Sequence, residues 1–476
     1  MSIGHLLLRA NCPLAYASCP APFSLLFCLI SFLSFSGCSH VVEENIHPLV
    51  ISNSAYTISS SAPEKVGSSQ WWLVFNDQLL NEYMQRALAG SFTLQEGYAR
   101  LKQARSLQKQ TDSSMYPSLD GQVSAGSIWD SDGERDDTSG FGVELIWEVD
   151  LWGRLSSAAK AAAFEAKAAE DDVQGLALLL STEVADTYYQ LIEQSLYRNL
   201  LEQQITANET SLDLIKLRFA HGAASLVDVY QQQELVASVK AQLPLNEARL
   251  IILRNRLHVL LGQAPESTSL SLGQSLPQIP SLPQLGVPAD LLRNRPDLRQ
   301  LQRELVAADY RVAAAVADRL PSVKIGSSVG LVSGDVLFSL FADALASIVD
   351  WGYKESEVEK QKAVVEEKAA RYSQRYLVAI EEVENSLWQE RQHELLLAAL
   401  NEQLIISRAT LHESRNRYIQ GITDYLPVLA ALVSLQNLER TMLQRQRERV
   451  SYRLILYRAL GGNVLTREQN NIITEN

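Results

Sequence analysis

Cysteine is missing from almost the whole chain. Of 476 residues only 4 are cysteine, and Cys12, Cys19, Cys28 and Cys38 all stand in the first 38 positions. Once such a leader is removed, no disulfide can form and no thiol is free for catalysis. Histidine is sparse too: the 7 residues, at 5, 40, 47, 221, 258, 393 and 412, show no metal-ligand spacing. There is no glycine-rich phosphate loop, so energy from a nucleotide has to come through a partner. Positive charge is in deficit, with 42 Lys and Arg against 55 Asp and Glu for a net charge of −13. Nucleic acid is thereby excluded as the main partner, because a phosphate backbone is held by excess cations. Proline is absent between 153 and 219, which allows one uninterrupted helix of about 100 Å at 1.5 Å per residue.

The leader contains an apolar run, "PFSLLFCLISFLSFSGC", too short and wrongly placed to span a bilayer as a helix but suited to a secretory signal. Its end, "FSGC", resembles the cleavage box of a bacterial lipoprotein, which implies cleavage before Cys38, an N-acyl diglyceride on that cysteine and no other cofactor. Ser39 after the cysteine implies sorting to the outer membrane by the same resemblance.

What fills the rest is a duplication. "RFAHG" begins at Arg218 and "RYIQG" at Arg417, and 417 − 218 = 199. Trp152 and Trp351 are the same distance apart, and so are Gly262 and Gly461. One register held by three separated landmarks marks a tandem repeat of a large unit. The chain divides into a signal peptide (1–37), a lipidated lead (38–78), a first repeat (79–262), a Pro-rich linker (263–288), a second repeat (289–461) and a tail (462–476).

Within each repeat the hydrophobic period switches in order. A helix is expected from 79 to 115, stopped by Pro117, then a hairpin at 118–150. There Phe141, Val143, Leu145, Trp147 and Val149 alternate with Glu144, Glu148 and Asp150, a period of two. The long helix 153–219 follows, with Val173, Leu176, Leu180, Val184, Tyr188 and Leu191 on one stripe. An Ala-rich run at 158–169 permits close helix approach. Gly222 breaks the helix, Ser225 caps the next with Asp228 at its third position, and that helix runs to 262 with a kink at Pro244. The second repeat gives a helix to Arg319, a hairpin at 321–350, a long helix at 352–418, a break at Gly421 and a helix at 424–460. The short helices stack end to end beside the long one. The fold class is therefore mainly α with a membrane β-hairpin in each repeat, and four strands of this length cannot close a barrel alone, so several chains must share one.

"VPADLLRNRPDLRQLQRELVAADYRVAAAVADRLPSV" (287–323), "WEVDLWGR" (147–154) and both Arg-aromatic-x-x-Gly tips resemble the outer-membrane efflux factors of the TolC superfamily, lipoprotein branch. The resemblance implies a homotrimer with one twelve-stranded barrel on an α-helical periplasmic tunnel, anchored in outer-membrane lipid. It implies a passive exit duct for small molecules such as drugs, opened by a periplasmic adaptor and an inner-membrane pump of the resistance-nodulation-division type. "VDWGY" and Pro427 depart from the family pattern. Glu144, Glu148 and Asp150 then line the lumen, where acidic side chains favour cations. Arg218, Gly222 and Gly421 mark adaptor-binding tips, the glycines holding positive φ. The second tip curls to the three-fold axis, where Tyr425 and Leu426 form an apolar constriction and Asp424, capping the next helix, latches with Arg417. A duct for type I protein secretion stays open as an alternative. So does a periplasmic coiled-coil adaptor or scaffold, which has one hairpin flanked by compact β-rich domains instead of strands recurring at the duplicated period.

Overall fold

The computed structural model describes residues 40–465 apart from 45, 50–54, 59–69, 130–132, 266–269, 284, 333–334, 348 and 463. The signal peptide, Cys38 and most of the expected tail lie outside the described residues.

A 3-10 turn at Trp71–Phe75 precedes α1 (Gln78–Gly90) and α2 (Phe92–Ser113); β1 (Ser118–Trp129) and β2 (Arg135–Val149) form the first hairpin. The first long helix is α3 (Arg154–Ala220), followed by α4 (Leu226–Lys240) and α5 (Gln242–Leu260). The second repeat has the single turn α6 (Leu291–Asn294), α7 (Pro296–Ala317), β3 (Ser322–Val332), β4 (Asp335–Leu345), the long helix α8 (Tyr353–Ile419) and α9 (Leu426–Leu460). Both long helices have 67 residues, as expected for duplicated sequence without internal Pro.

Several boundaries differ from expectation. The second hairpin ends at Leu345, short of 350, and the helix before it is interrupted at the extended Arg295 ahead of Pro296 and ends at Ala317. The helix foreseen from 79 to 115 is broken at Ser91, which is extended. The cause is tertiary: a Cβ on Gly262 would stand 2.1 Å from the Gly90 carbonyl oxygen, so the two chain segments abut there. The kink at Pro244 is a break at Ala241; proline lacks an N–H and its ring meets the carbonyl four residues back, on Lys240, the last residue of α4. The helix foreseen from 424 starts at Leu426.

Packing orders the helices side by side. On the strand side of the molecule the order is α2, α3, α7, α8; toward the tips it is α5 and α4, then α3, α9, α8. Thus α2 and α5–α4 follow one another along α3. Ala159, Ala161, Ala162, Ala166 and Ala168 are buried, so the Ala-rich run does give close approach. Midway along, Trp71 stacks on Tyr457 at 5.6 Å, and Tyr188 and Tyr189 complete an aromatic core with Trp72 and Phe75.

The four strands form one antiparallel sheet in the order β1-β2-β3-β4. Its register puts Val123 opposite Phe141, Phe141 opposite Leu331, and Leu331 opposite Val336. The neighbouring row is Gly121, Val143, Val329 and Phe338. A single apolar face therefore crosses all four strands, including β4, whose alternation is weak in sequence but fixed by pairing. On the other face Asp120 meets Glu144, Glu144 meets Ser328, and Lys324 lies between Glu148 and Asp343.

Candidate functional site

The two ends of the helical slab are the places where chemistry concentrates. At the strand end, Glu144 and Glu148 stand on the polar face as expected, and Glu148 pairs with Arg154 at 2.5 Å. Asp150 does not. It lies beyond β2, and its carboxylate accepts the amides of Leu155 at 3.0 Å and Ser156 at 2.8 Å, capping α3. Burial raises its pKa, but these amide hydrogen bonds outweigh burial and hold the carboxyl below the usual range. The side chain is committed to the helix start and is removed from the lumen set.

At the far end the two tips fold alike. Gly222 has φ of 70° and Gly421 of 75°, left-handed values that fit glycine. The amide of Ala223 donates to Arg218 O at 2.8 Å, and that of Ile422 donates to Arg417 O at 3.0 Å, the same six-residue closure in each copy. After the first turn Ser225 and Asp228 make a capping box, each accepting the other's amide. The second tip lacks it: the residue before α9 is Tyr425, with no side-chain cap, and Asp424 is exposed. The expected Asp424 cap is therefore absent: Asp424 stands where Ser225 does, but Pro427, in the place of Asp228, has no amide N–H to donate to it.

Tyr425 also sits elsewhere than expected. It is 3% exposed within its own chain, its ring 5.2 Å from Tyr418 and its hydroxyl donating to Gln232 Oε1 at 2.6 Å. Burial pushes its phenol pKa up. Leu426, by contrast, is 56% exposed. Arg417 pairs with Glu413 at 3.2 Å on its own helix, not with Asp424. Arg218 lies 4.6 Å over the Tyr418 ring, joining the two tips within one chain.

Sequence reading missed what stands behind Tyr425. Asn208 and Gln436 exchange amide hydrogen bonds at 3.2 and 2.9 Å, and Gln232 Nε2 donates to Asn208 O at 2.9 Å. Gln204 adds bonds to Gln436 O and Glu439. All four amide residues are buried. Their signal in sequence was only a polar residue on an otherwise apolar stripe. Among the described residues no three His, Cys, Asp or Glu side chains are grouped to hold a metal.

Comparison with known proteins agrees with this geometry. The family model described as outer membrane efflux protein matches residues 83–263 and 287–462, one match on each repeat. The chain belongs to this family. It is an outer-membrane component of an efflux system, and the family is one of transport channels. The solvent efflux pump outer membrane protein SrpC of Pseudomonas putida is 27% identical over 409 residues, 82% of this chain and 86% of its own length. The cation efflux system protein CusC of Escherichia coli is 25% identical over 464 residues, 93% and 99% of the two chains. Among solved structures, the outer-membrane channel OprN superposes with a TM-score of 0.82 at 28% identity, over 89% of this chain and 99% of that one. The CmeC outer membrane channel of Campylobacter jejuni shares the fold with a TM-score of 0.83 at 20% identity, over 92% and 98%. Family membership places the protein in the outer membrane, extending into the periplasm.

Proposed function

We propose that three copies of the chain close one twelve-stranded barrel and continue it as a helical duct, a passive exit for small organic molecules. The observation that carries this reading is the sheet, which has one apolar face and two open edges, β1 of 12 residues and β4 of 11. In lipid an unpaired backbone group costs several kcal/mol, so such edges need partners. The helix order supports a ring: β1, α2, α4 and α5 form one side of the slab and β4 and α8 the other. Head-to-tail copies join those unlike sides, and a closing rotation yields a ring. The test is the mass of the protein in detergent, expected to be three chains. A stable folded monomer with full strand content overturns the shared barrel.

An adaptor docks on the tips at Arg218, Gly222 and Gly421, and an inner-membrane pump supplies the energy. The relatives named for solvent efflux and for pyoverdine export support an organic cargo. Closure at the second tip belongs to Leu426, Asp424 and Arg417, all exposed, with Tyr425 as the buried support behind them. Cys38 carries the lipid. The lead supports that anchor: Glu44 bonds Tyr310 near the strand end of α7, Ile46 O accepts from Gln302, and farther down Leu49 N donates to Ser373 and Thr57 N to Glu384. The strap thus starts on the membrane side and descends. Glu144 and Glu148 line the lumen and favour cations there.

A further inference from the structure

The two repeats enter their long helices through nearly the same words, Asp150-Leu151-Trp152-Gly153 and Asp350-Trp351-Gly352, the second one residue shorter. The missing residue has a consequence. Trp152 lies against its own chain, 37% exposed, its indole N–H donating to Pro321 O at 2.7 Å. Trp351 takes a φ of 53° and is 96% exposed. A left-handed backbone is disfavoured at a bulky residue and persists where the surroundings impose it. Asp350 imposes it: its carboxylate accepts the amides of Gly352 at 3.0 Å and Lys354 at 3.2 Å, and its carbonyl accepts that of Tyr353 at 3.0 Å. Those bonds also keep the Asp350 carboxyl below its usual pKa range. The indole is held away from the protein by a clamp.

Its level in the molecule says what it meets. Trp351 follows β4, whose outward side chains Val336, Phe338, Leu340, Ala342 and Ala344 continue the apolar face. Tyr353 and Val349 beside it are exposed, and at the other strand–helix junctions Tyr116, Trp147 and Trp152 also reach solvent. Amphipathic rings gathered where an apolar strand band gives way to charged helices match the headgroup layer of a bilayer. We propose that Trp351 is a lipid-anchoring residue, its indole seated among phospholipid headgroups of the periplasmic leaflet and fixed there by the Asp350 clamp. This rests on the shared barrel, which the detergent mass tests separately.

The test uses the full-length protein in phosphatidylethanolamine and phosphatidylglycerol vesicles brominated high on the acyl chains. Wild-type emission minus that of Trp351→Phe isolates this indole from the other tryptophans. The expected difference emission is strongly quenched by the brominated lipid and weakly by iodide in the buffer. Full quenching by iodide places the ring in water, and quenching by neither places it against a neighbouring copy; each overturns the proposal. As a second arm, Trp351→Gly removes the ring and the strained φ together. Its melting temperature in detergent is expected to equal or exceed that of the wild type, whereas a fall marks a protein contact and overturns the lipid assignment.

Discussion

Arg295 is a buried cation with all three of its nitrogens hydrogen-bonded. Its Nε and Nη2 meet Asp297 at 3.0 and 2.8 Å, and Nη1 meets Glu382 at 2.6 Å and Ala459 O at 3.0 Å. Arg375 adds a 2.7 Å bond to Asp297. Burial raises the Asp297 carboxyl, but Arg295 and Arg375 outweigh it and bring its pKa from 3.8 to about 2. A folded pKa below the unfolded one means that the stabilisation is complete above the unfolded value of 3.8 and is lost as pH falls through about 2. Asp297→Asn should therefore lose about 3 kcal/mol at neutral pH by taking the shared carboxylate from Arg295 and Arg375, and its melting temperature should change less than that of the wild type as pH falls across this window. Thermal melting against pH checks both. The block "LLRNRPDL" was legible as a family mark, yet its chemistry was not, because Arg375, Glu382 and Ala459 lie far along the chain. Tyr425 failed the same way: sequence shows a ring at a tip, while the buried Gln232 that draws it inward comes from the other repeat.

Elements were read best where one local rule governs them. Both long helices fell within one residue of expectation because no Pro interrupts either one and the apolar stripe runs on to the tip, where a glycine adopts the left-handed turn. The Ser225–Asp228 box was equally local. The break at Ser91 was not, since it is set by Gly262 from another helix end. The two kinds of glycine give a contrasting prediction. At Gly421 a Cβ meets nothing within 4 Å, so Gly421→Ala carries only the φ penalty of about 1 kcal/mol. At Gly262 the new Cβ has no room and the backbone of Gly90 must move, so Gly262→Ala should cost more than Gly421→Ala, about 2 to 3 kcal/mol or more in chemical denaturation. The exposed tip is also where bulk should act on partners. Gly421→Trp is expected to leave the trimer intact and to weaken cross-linking to the adaptor; undiminished cross-linking reduces the glycine to a helix stop.

For the whole molecule, duplication explains the architecture, and the place where the copies depart most is where we propose the closure. The slab keeps its two repeats in register from Trp152 and Trp351 to Gly262 and Gly461, while the second tip replaces the Ser225–Asp228 box by Tyr425-Leu426-Pro427. A duct open to the periplasm leaks, and in the trimer we propose, three exposed Leu426 side chains brought together at the axis would make a constriction that resists wetting. Behind each, the Tyr425–Gln232 bond and the Asn208–Gln436 amide pair hold α9 to the first repeat. Opening needs a partner that binds the separated arrangement better than the closed one, because a ligand shifts a two-state equilibrium only by its differential affinity. Lining and support can be told apart by single-channel conductance in planar bilayers. Leu426→Ala alone should raise conductance by widening the ring, and Leu426→Ala with Tyr425→Ala should raise it further by freeing the hairpin as well. A double variant that remains trimeric and conducts no better than wild type places the closure elsewhere in the duct.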